Sequence, residues 1–417
     1  MNDHSAGLVT SSCADLLQHY QANDYFFASA EASFLAQGVA GELICNDPSR
    51  LHDLPAQAQT LLRQAKRADD AMLIGAIAFG QGRSRLILPQ QVQRALGANA
   101  MQNTAGKQAT LLSSPASNVV NSLPSANQYR RNVALALQHI AAGSMQKVVL
   151  ARALQVHGEV ALRPLLQRLR QANPRAYTFA MALDSKAAGR HFVGASPELL
   201  LEKRGHQVFS HPLAGSIPRS ADPQEDGRRA ENLLRSSKDL REHALVVDAV
   251  RQALQPFCRS LHVPNKPSLL ATPTMWHLGT HVRGELHDAN TSSLSLALAL
   301  HPTPAVCGHP LRAARDFIAE MEGFERELFA GLVGWCDLHG DGEWAVSLRC
   351  AQIDSSCTPP RATLYAGAGV VAGSDPEAEW QETCAKLRTM LLAMGLDGNL
   401  AQEQFFKREL QALQVAA

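Results

Sequence analysis

No two cysteines in this 417-residue chain stand at C-x-x-C spacing; the eight present are scattered along it. That excludes a zinc ribbon and suits reduced thiols better than a disulfide scaffold. Charge of neither sign dominates, with 39 Lys and Arg against 38 Asp and Glu, so no net field favours nucleic acid or anionic lipid. Apolar runs are short. Even LSLALALHP falls well below a membrane span, and the opening MNDHSAGLVTSSCADLL has no basic region followed by an apolar one, as a secretory signal requires. A cytoplasmic protein is therefore expected. Repeats at solenoid or propeller periods are missing. YAGAGVVAGSDP fits neither G-x-G-x-x-G nor a P-loop.

What is present is a mixed pattern. Residues 20–90 alternate the strand-like pieces YFFAS, MLIGAIAFG and SRLILP with a helix expected around Ala56–Ala68. Residues 97–126, rich in Ala, Ser, Asn and Gln, read as a surface connection. Then come a helix (YRRNVALALQHIAAG), the strand SMQKVVLARAL and a helix over Leu162–Ala172. The pieces YTFAMAL, HFVGAS, LLLEKRG and QVFSHPLAG predict an antiparallel meander. Helices are predicted over 224–256 and 374–394, with EWAVSLRCAQI and ATLYAGAGVVAG as strands between them. Strand clusters interleaved with helices predict an α+β layered fold rather than a βαβ array. The expected division is an N-terminal part of the fold over 1–126, a catalytic region over 127–395 and a helical tail over 396–417. Phe406, Leu410 and Leu413 of that tail share one face, suited to docking on the core.

Several side chains stand out. Lys147 shares a strand face with Met145, Val149 and Ala151. A lysine guarding an edge strand and an amine held in a pocket both fit. SSKDLREHALVVDAV puts Asp239 and Glu242 on one helix face. GSDPEAEWQETCAKLRTM opens with Asp375 as N-cap and Pro376 at the first helical position, and aligns Glu379, Glu382 and Lys386. Such faces are solvated or complement the helix dipole. If the two helices face each other, however, Glu242 and Glu382 form an oxygen pair suited to Mg²⁺. Arg349, read at mid-strand among small neighbours, either forks onto a carboxylate or reaches solvent. Glu198 follows a Ser-Pro turn in GASPELL, where a glutamate is ordinarily solvated. His277 and His281 in HLGTH have metal-ligand spacing only on a helix; a strand is expected, so no zinc site is.

Taken in order, KVVLARAL, FVGASPELLL, HPLAGSIPR, KDLREHALVVDAV, HLGTHVRG, LHPTPAVCGHP, FERELFAGLVGW, SLRCAQI and YAGAGVVAGSDPEAEWQETCAKL resemble the motifs of the chorismate-utilising enzymes across about residues 140–394. YFFAS resembles that family's opening. Within the family, related to anthranilate synthase component I, the likeness is to isochorismate synthases of siderophore or salicylate pathways. It implies a single large α+β domain of two packed, mostly antiparallel β-sheets with helices outside, and a cleft for chorismate and Mg²⁺. It implies Lys147 as the general base that activates water and Glu198 as the general acid. Glu242 and Glu382 match the Mg²⁺ ligands, with Glu379 and Asp239 beside them. Arg349 and Lys386 match residues that hold substrate carboxylates, helped by backbone around Gly215 and Gly369. His277 matches a cleft histidine, and Ala305 and Val306 lie in the loop shaping the pocket near the ring.

The implied reaction accounts for these residue types. Adding a hydroxyl at C2 and expelling one from C4 needs a base on one side and an acid on the other. Lys147 serves as base only as the free amine, which desolvation or nearby cations favour; Glu198 must stay protonated, which burial favours. No redox cofactor is required. Anthranilate and aminodeoxychorismate synthases use ammonia, commonly from a glutaminase partner. The first usually carry glutamine at the position of Lys147, and the second a nucleophilic lysine where this chain has Ala214. Lysine favours water, so a monomeric isochorismate synthase without a glutaminase subunit is expected. A salicylate synthase, which also eliminates pyruvate, is the alternative, and an inactive chorismate-binding subunit a further one. Phe329 and Leu332 depart from the family's common Tyr and Pro.

Overall fold

The computed structural model describes residues 12–65, 71–97, 118–184 and 189–396. Its strands form sheets of ten, nine and three members, and every pairing between them is antiparallel. Side chains of the two large sheets meet in one core; the rings of Phe34 in the ten-stranded sheet and Trp335 in the nine-stranded one pack tilted, with centroids 5.1 Å apart. Helices Cys13–His19, Leu162–Ala172 and Pro376–Ala393 cover the other face of the ten-stranded sheet through Leu16, Leu165, Leu169 and Met390. With both faces covered, strands lose the half-polar alternation of an exposed sheet. Tyr25–Ala28 of the ten-stranded sheet is buried throughout, each large side chain there contributing ~1.5–3 kcal/mol.

Lys147–His157 is not an edge strand. It pairs along its length with Arg361–Val371, and on its other side with Gly308–His309 and Asn118–Leu123. That last strand falls inside the span expected to be a surface connection, so the polar segment returns to the sheet before its end. The predicted helix over 224–256 is two helices, Pro223–Arg235 and Ser237–Leu254. Ser236 ends the first and caps the second, its hydroxyl accepting from Asp239 N at 3.2 Å.

Two corrections concern chain crossings. The expected meander is shared among all three sheets. Tyr177–Ala182 and Arg190–Ser196 lie in the ten-stranded sheet, Leu199–Arg204 and Gln207–His211 in the nine-stranded one, and Leu213–Pro218 in the third. Nor is EWAVSLRCAQI one strand. Gly342–Val346 belongs to the nine-stranded sheet and Cys350–Asp354 to the ten-stranded one. Between them Arg349 takes φ +48°, a left-handed turn that costs a non-glycine residue about 1–3 kcal/mol. The two crossings adjoin: Ala195 N donates to Arg349 O at 3.1 Å, and Val346 N to Glu198 O at 3.2 Å. The tail residues Phe406, Leu410 and Leu413 lie outside the described residues.

Candidate active site

The adjoining crossings bring Glu198 and Arg349 together, and both side chains are buried. Around them a narrow cleft of about 60 Å³ is lined by Gly215, Ser216, Glu242, His277, Ala305, Gly369, Glu382 and Lys386, with Glu198 and Arg349 themselves. A wider groove of about 1310 Å³, between helices Leu54–Arg63 and Ser293–Leu300, contains none of these groups.

Lys147 opens its strand fully buried. Its Nζ lies 2.8 Å from Glu242 Oε1, an ion-pair contact whose angles fall short of a hydrogen bond. Lys147 thus stands behind Glu242 instead of on the cleft wall. Gly369 makes the contact possible. A Cβ there would lie 3.2 Å from Lys147 Cε and collide with the Glu242 carboxylate. The obstacle is the free end of a side chain, not backbone. Gly369→Ala is therefore expected to displace Glu242 while sparing the fold. A misplacement of about 1 Å lowers kcat by about 10²-fold, and kcat with Tm in parallel checks this.

Glu198 is 2 % exposed. Burial pushes its carboxyl up to about 7, against the opposing influence of Leu213 N–H, Lys147, Lys386 and Arg349. Burial also pulls Arg349 down to about 10, against Glu382 and Glu198, so it stays a cation at neutral pH. Arg349 Nη2 is 3.3 Å from His277 Nε2. Burial, Arg349 and Lys386 together keep that imidazole neutral, hence an acceptor. His277 lies on the strand Met275–Gly279, whereas His281 lies beyond its end and stacks on His211 at 3.8 Å, so the two do not share a helix face.

Helices Ser237–Leu254 and Pro376–Ala393 do present their acidic faces to one another. Lys238 Nζ of the first donates to Glu379 Oε1 of the second at 2.8 Å and lies 4.0 Å from Asp239. Glu382 accepts from Ser216 Oγ at 2.8 Å and pairs with Lys386 at 2.6 Å. Burial would raise Glu382, but Lys386, Lys238 and Ser216 outweigh it and hold it ionised. Burial and the neighbouring Glu382 push Glu379 up to about 7, and its Oε2 is buried without a hydrogen-bond partner. Burial likewise raises Asp239. Among the described residues no three His, Cys, Asp or Glu side chains converge as a closed metal cage. Glu242 and Glu382 both line the cleft, and one or two carboxylates are what Mg²⁺ ordinarily takes before water and substrate supply the rest.

Sequence reasoning missed the supports of this site. Lys386 Nζ donates to Gly367 O at 2.8 Å. Arg326 donates to Val306 O and Val149 O, both at 2.7 Å, and Glu322 accepts from Ala151 N at 2.7 Å. This buried pair fills the gap between the two short partners of the Lys147 strand and ties the Ala305–Val306 loop to it. Only its i, i+4 spacing in EGFER was visible in advance. Phe329, at the family's tyrosine position, stacks on Tyr365 at 5.1 Å in the cleft wall.

A fold of two packed antiparallel sheets whose crossings deliver an acid and an arginine to one cleft defines a class. The family model "Chorismate binding enzyme" matches residues 84–395, and the chain belongs to that family. Isochorismate synthase DhbC of Bacillus subtilis is 44 % identical over 94 % of this chain and 98 % of its own length. The vibriobactin-specific isochorismate synthase of Vibrio cholerae is 41 % identical, over 90 % and 92 % respectively. The crystal structure of a putative 2,3-dihydroxybenzoate-specific isochorismate synthase from Bacillus anthracis superposes with a TM-score of 0.84 at 43 % identity, covering 92 % of this chain and 99 % of that one. Within the family, then, the chain falls among the isochorismate synthases.

Proposed function

We propose that the protein converts chorismate to isochorismate in a Mg²⁺-dependent reaction, with Lys147 as base and Glu198 as acid. The observation that carries this reading is the pairing of opposites in one buried place. Glu198 is held near half-protonation at neutral pH, and the fully buried Lys147 has Glu242 as its partner. Arg349 and Lys386 hold substrate carboxylates by charge-assisted bonds. Water attacks C2 and gives its proton to Lys147; the ring double bonds shift; the C4–O bond breaks as Glu198 delivers its proton, and water leaves. One water enters and one departs, so the substrate is isomerised.

The carboxylate cluster fits a cation, because Glu379 Oε2 is buried without a hydrogen-bond partner and the neighbouring Glu382 adds to the cost of its charge. Glu242 and Glu382 would hold Mg²⁺, with Glu379 and Asp239 behind them; bound there, the ion offsets the charge of the ring carboxylate. A Glu242 that held the ion would be drawn away from Lys147, its present ion-pair partner at 2.8 Å. Glu382→Gln is expected to raise the Mg²⁺ concentration for half-maximal activity by at least about tenfold; a magnesium titration measures it.

We further propose that water rather than ammonia is the nucleophile and that no glutaminase subunit is needed. The names of the Vibrio and Bacillus anthracis relatives support a product destined for a siderophore. All eight cysteines are free, and no described helix is long and apolar enough to cross a membrane; the free thiols support a reducing cytoplasm. Product analysis after incubating chorismate with Mg²⁺, without and with an ammonium salt, tests the reading. Isochorismate in both arms is expected; an aminated product, or salicylate with pyruvate, would replace it.

A further inference from the structure

The strand Leu213–Pro218 does not run in continuous register with Met275–Gly279. The ladder shifts between Leu213 and Ser216, where Gly215 has φ +80° and a Cβ would lie 3.0 Å from Asp239 Cβ. Such an irregularity takes backbone groups out of the ladder, and a buried carbonyl released this way needs another donor. For Ala214 that donor is His243, 3 % exposed and next to Glu242 on the helix Ser237–Leu254. Its Nδ1 lies 3.1 Å from Ala214 O and its Nε2 2.7 Å from Thr280 Oγ1. A carbonyl only accepts, so Nδ1 carries a proton.

The shifted segment touches both sides of the proposed chemistry. Leu213 N donates to Glu198 Oε1 at 3.4 Å, and Ser216 Oγ donates to Glu382 Oε1 at 2.8 Å. We infer that His243 is a positioning residue for the reaction: by tying the Ala214 carbonyl to the helix that bears Glu242, it sets Glu198, Glu382 and Glu242 relative to one another. The inference rests on the roles proposed above for those three carboxylates. One imidazole reaches all of them, one through the helix backbone and two through the residues flanking the irregularity. It touches no substrate-facing surface, since the cleft is lined by Ala214, Gly215 and Ser216 in front of it.

The test compares His243→Leu, which removes the donor, with His243→Asn, whose amide nitrogen can occupy the Nδ1 position and donate to Ala214 O. Isochorismate formation is followed at saturating Mg²⁺, with Tm measured alongside. His243→Leu is expected to lose about ten- to hundredfold in kcat with KM within about threefold, the pattern of misplaced groups rather than lost binding. His243→Asn should recover most of that loss. If His243→Leu fails to fold, Thr280→Val serves: it leaves the Ala214 bond but frees the ring's other end, and should lower kcat several-fold at unchanged KM. Parent-like kcat in the folded variants overturns the inference. So does an equal loss of kcat in the Leu and Asn variants that follows Tm alone. A parent enzyme making no isochorismate would instead overturn the functional reading, so the two failures are distinguishable.

Discussion

Lys147→Gln is expected to lower kcat for isochorismate formation by about 10²–10⁴-fold, the usual contribution of a positioned base, while chorismate still raises Tm. Glutamine is the informative replacement. Alanine would leave the Glu242 carboxylate buried beside an empty space, and stripping one partner from a buried ion pair costs about 3–5 kcal/mol. The Lys147 side chain is 0 % exposed and that of Glu242 only 9 %, so an alanine variant loses stability as well as the base. Glutamine keeps a polar N–H donor directed towards Glu242 and leaves a smaller space than alanine would. Loss of turnover with folding and binding retained then isolates proton transfer. Turnover near that of the parent would show that water is activated by something else.

Glu198→Gln is the second large effect, again about 10²–10⁴-fold in kcat, and it carries a pH signature. The parent carboxyl is raised to about 7 in the free enzyme, so kcat/KM should fall as pH rises through that region and the acid loses its proton. The glutamine variant should show no such limb. Stability follows the same proton. A carboxyl whose folded value lies above its unfolded one favours folding most below the unfolded value, and that contribution is lost as pH rises through about 7. Above neutrality the parent buries a carboxylate that the variant does not, so Glu198→Gln should match or exceed the parent in Tm there. A variant whose kcat/KM keeps the parent's alkaline limb would assign the acid elsewhere.

Much of this architecture was legible from local pattern. The helix over Leu162–Ala172 and the spacing of Glu379, Glu382 and Lys386 follow from periodicity and from the Asp375–Pro376 start. What alternation does not mark is a strand leaving one sheet for another. YTFAMAL through QVFSHPLAG, and EWAVSLRCAQI, keep apolar periodicity across the crossing because both sheets are buried. The crossings at Glu198 and Arg349 were therefore invisible as crossings, although both residues were singled out by type and resemblance. Lys147 posed the opposite problem. On its own strand an aggregation guard and a pocket amine fitted equally, and its partner Glu242 lies on a separate helix that no local window includes. Gly369 lines the cleft, and no local window shows that the space left by its missing side chain is filled by that ion pair.

The central claim is that water enters at C2, activated by Lys147, as a hydroxyl leaves C4. A single-turnover reaction of chorismate with excess enzyme and Mg²⁺ in H₂¹⁸O, with product read by mass spectrometry, tests it most directly. One solvent oxygen is expected in each isochorismate molecule, located at the C2 hydroxyl. Unlabelled isochorismate would contradict it, since the oxygen would then have moved within the substrate.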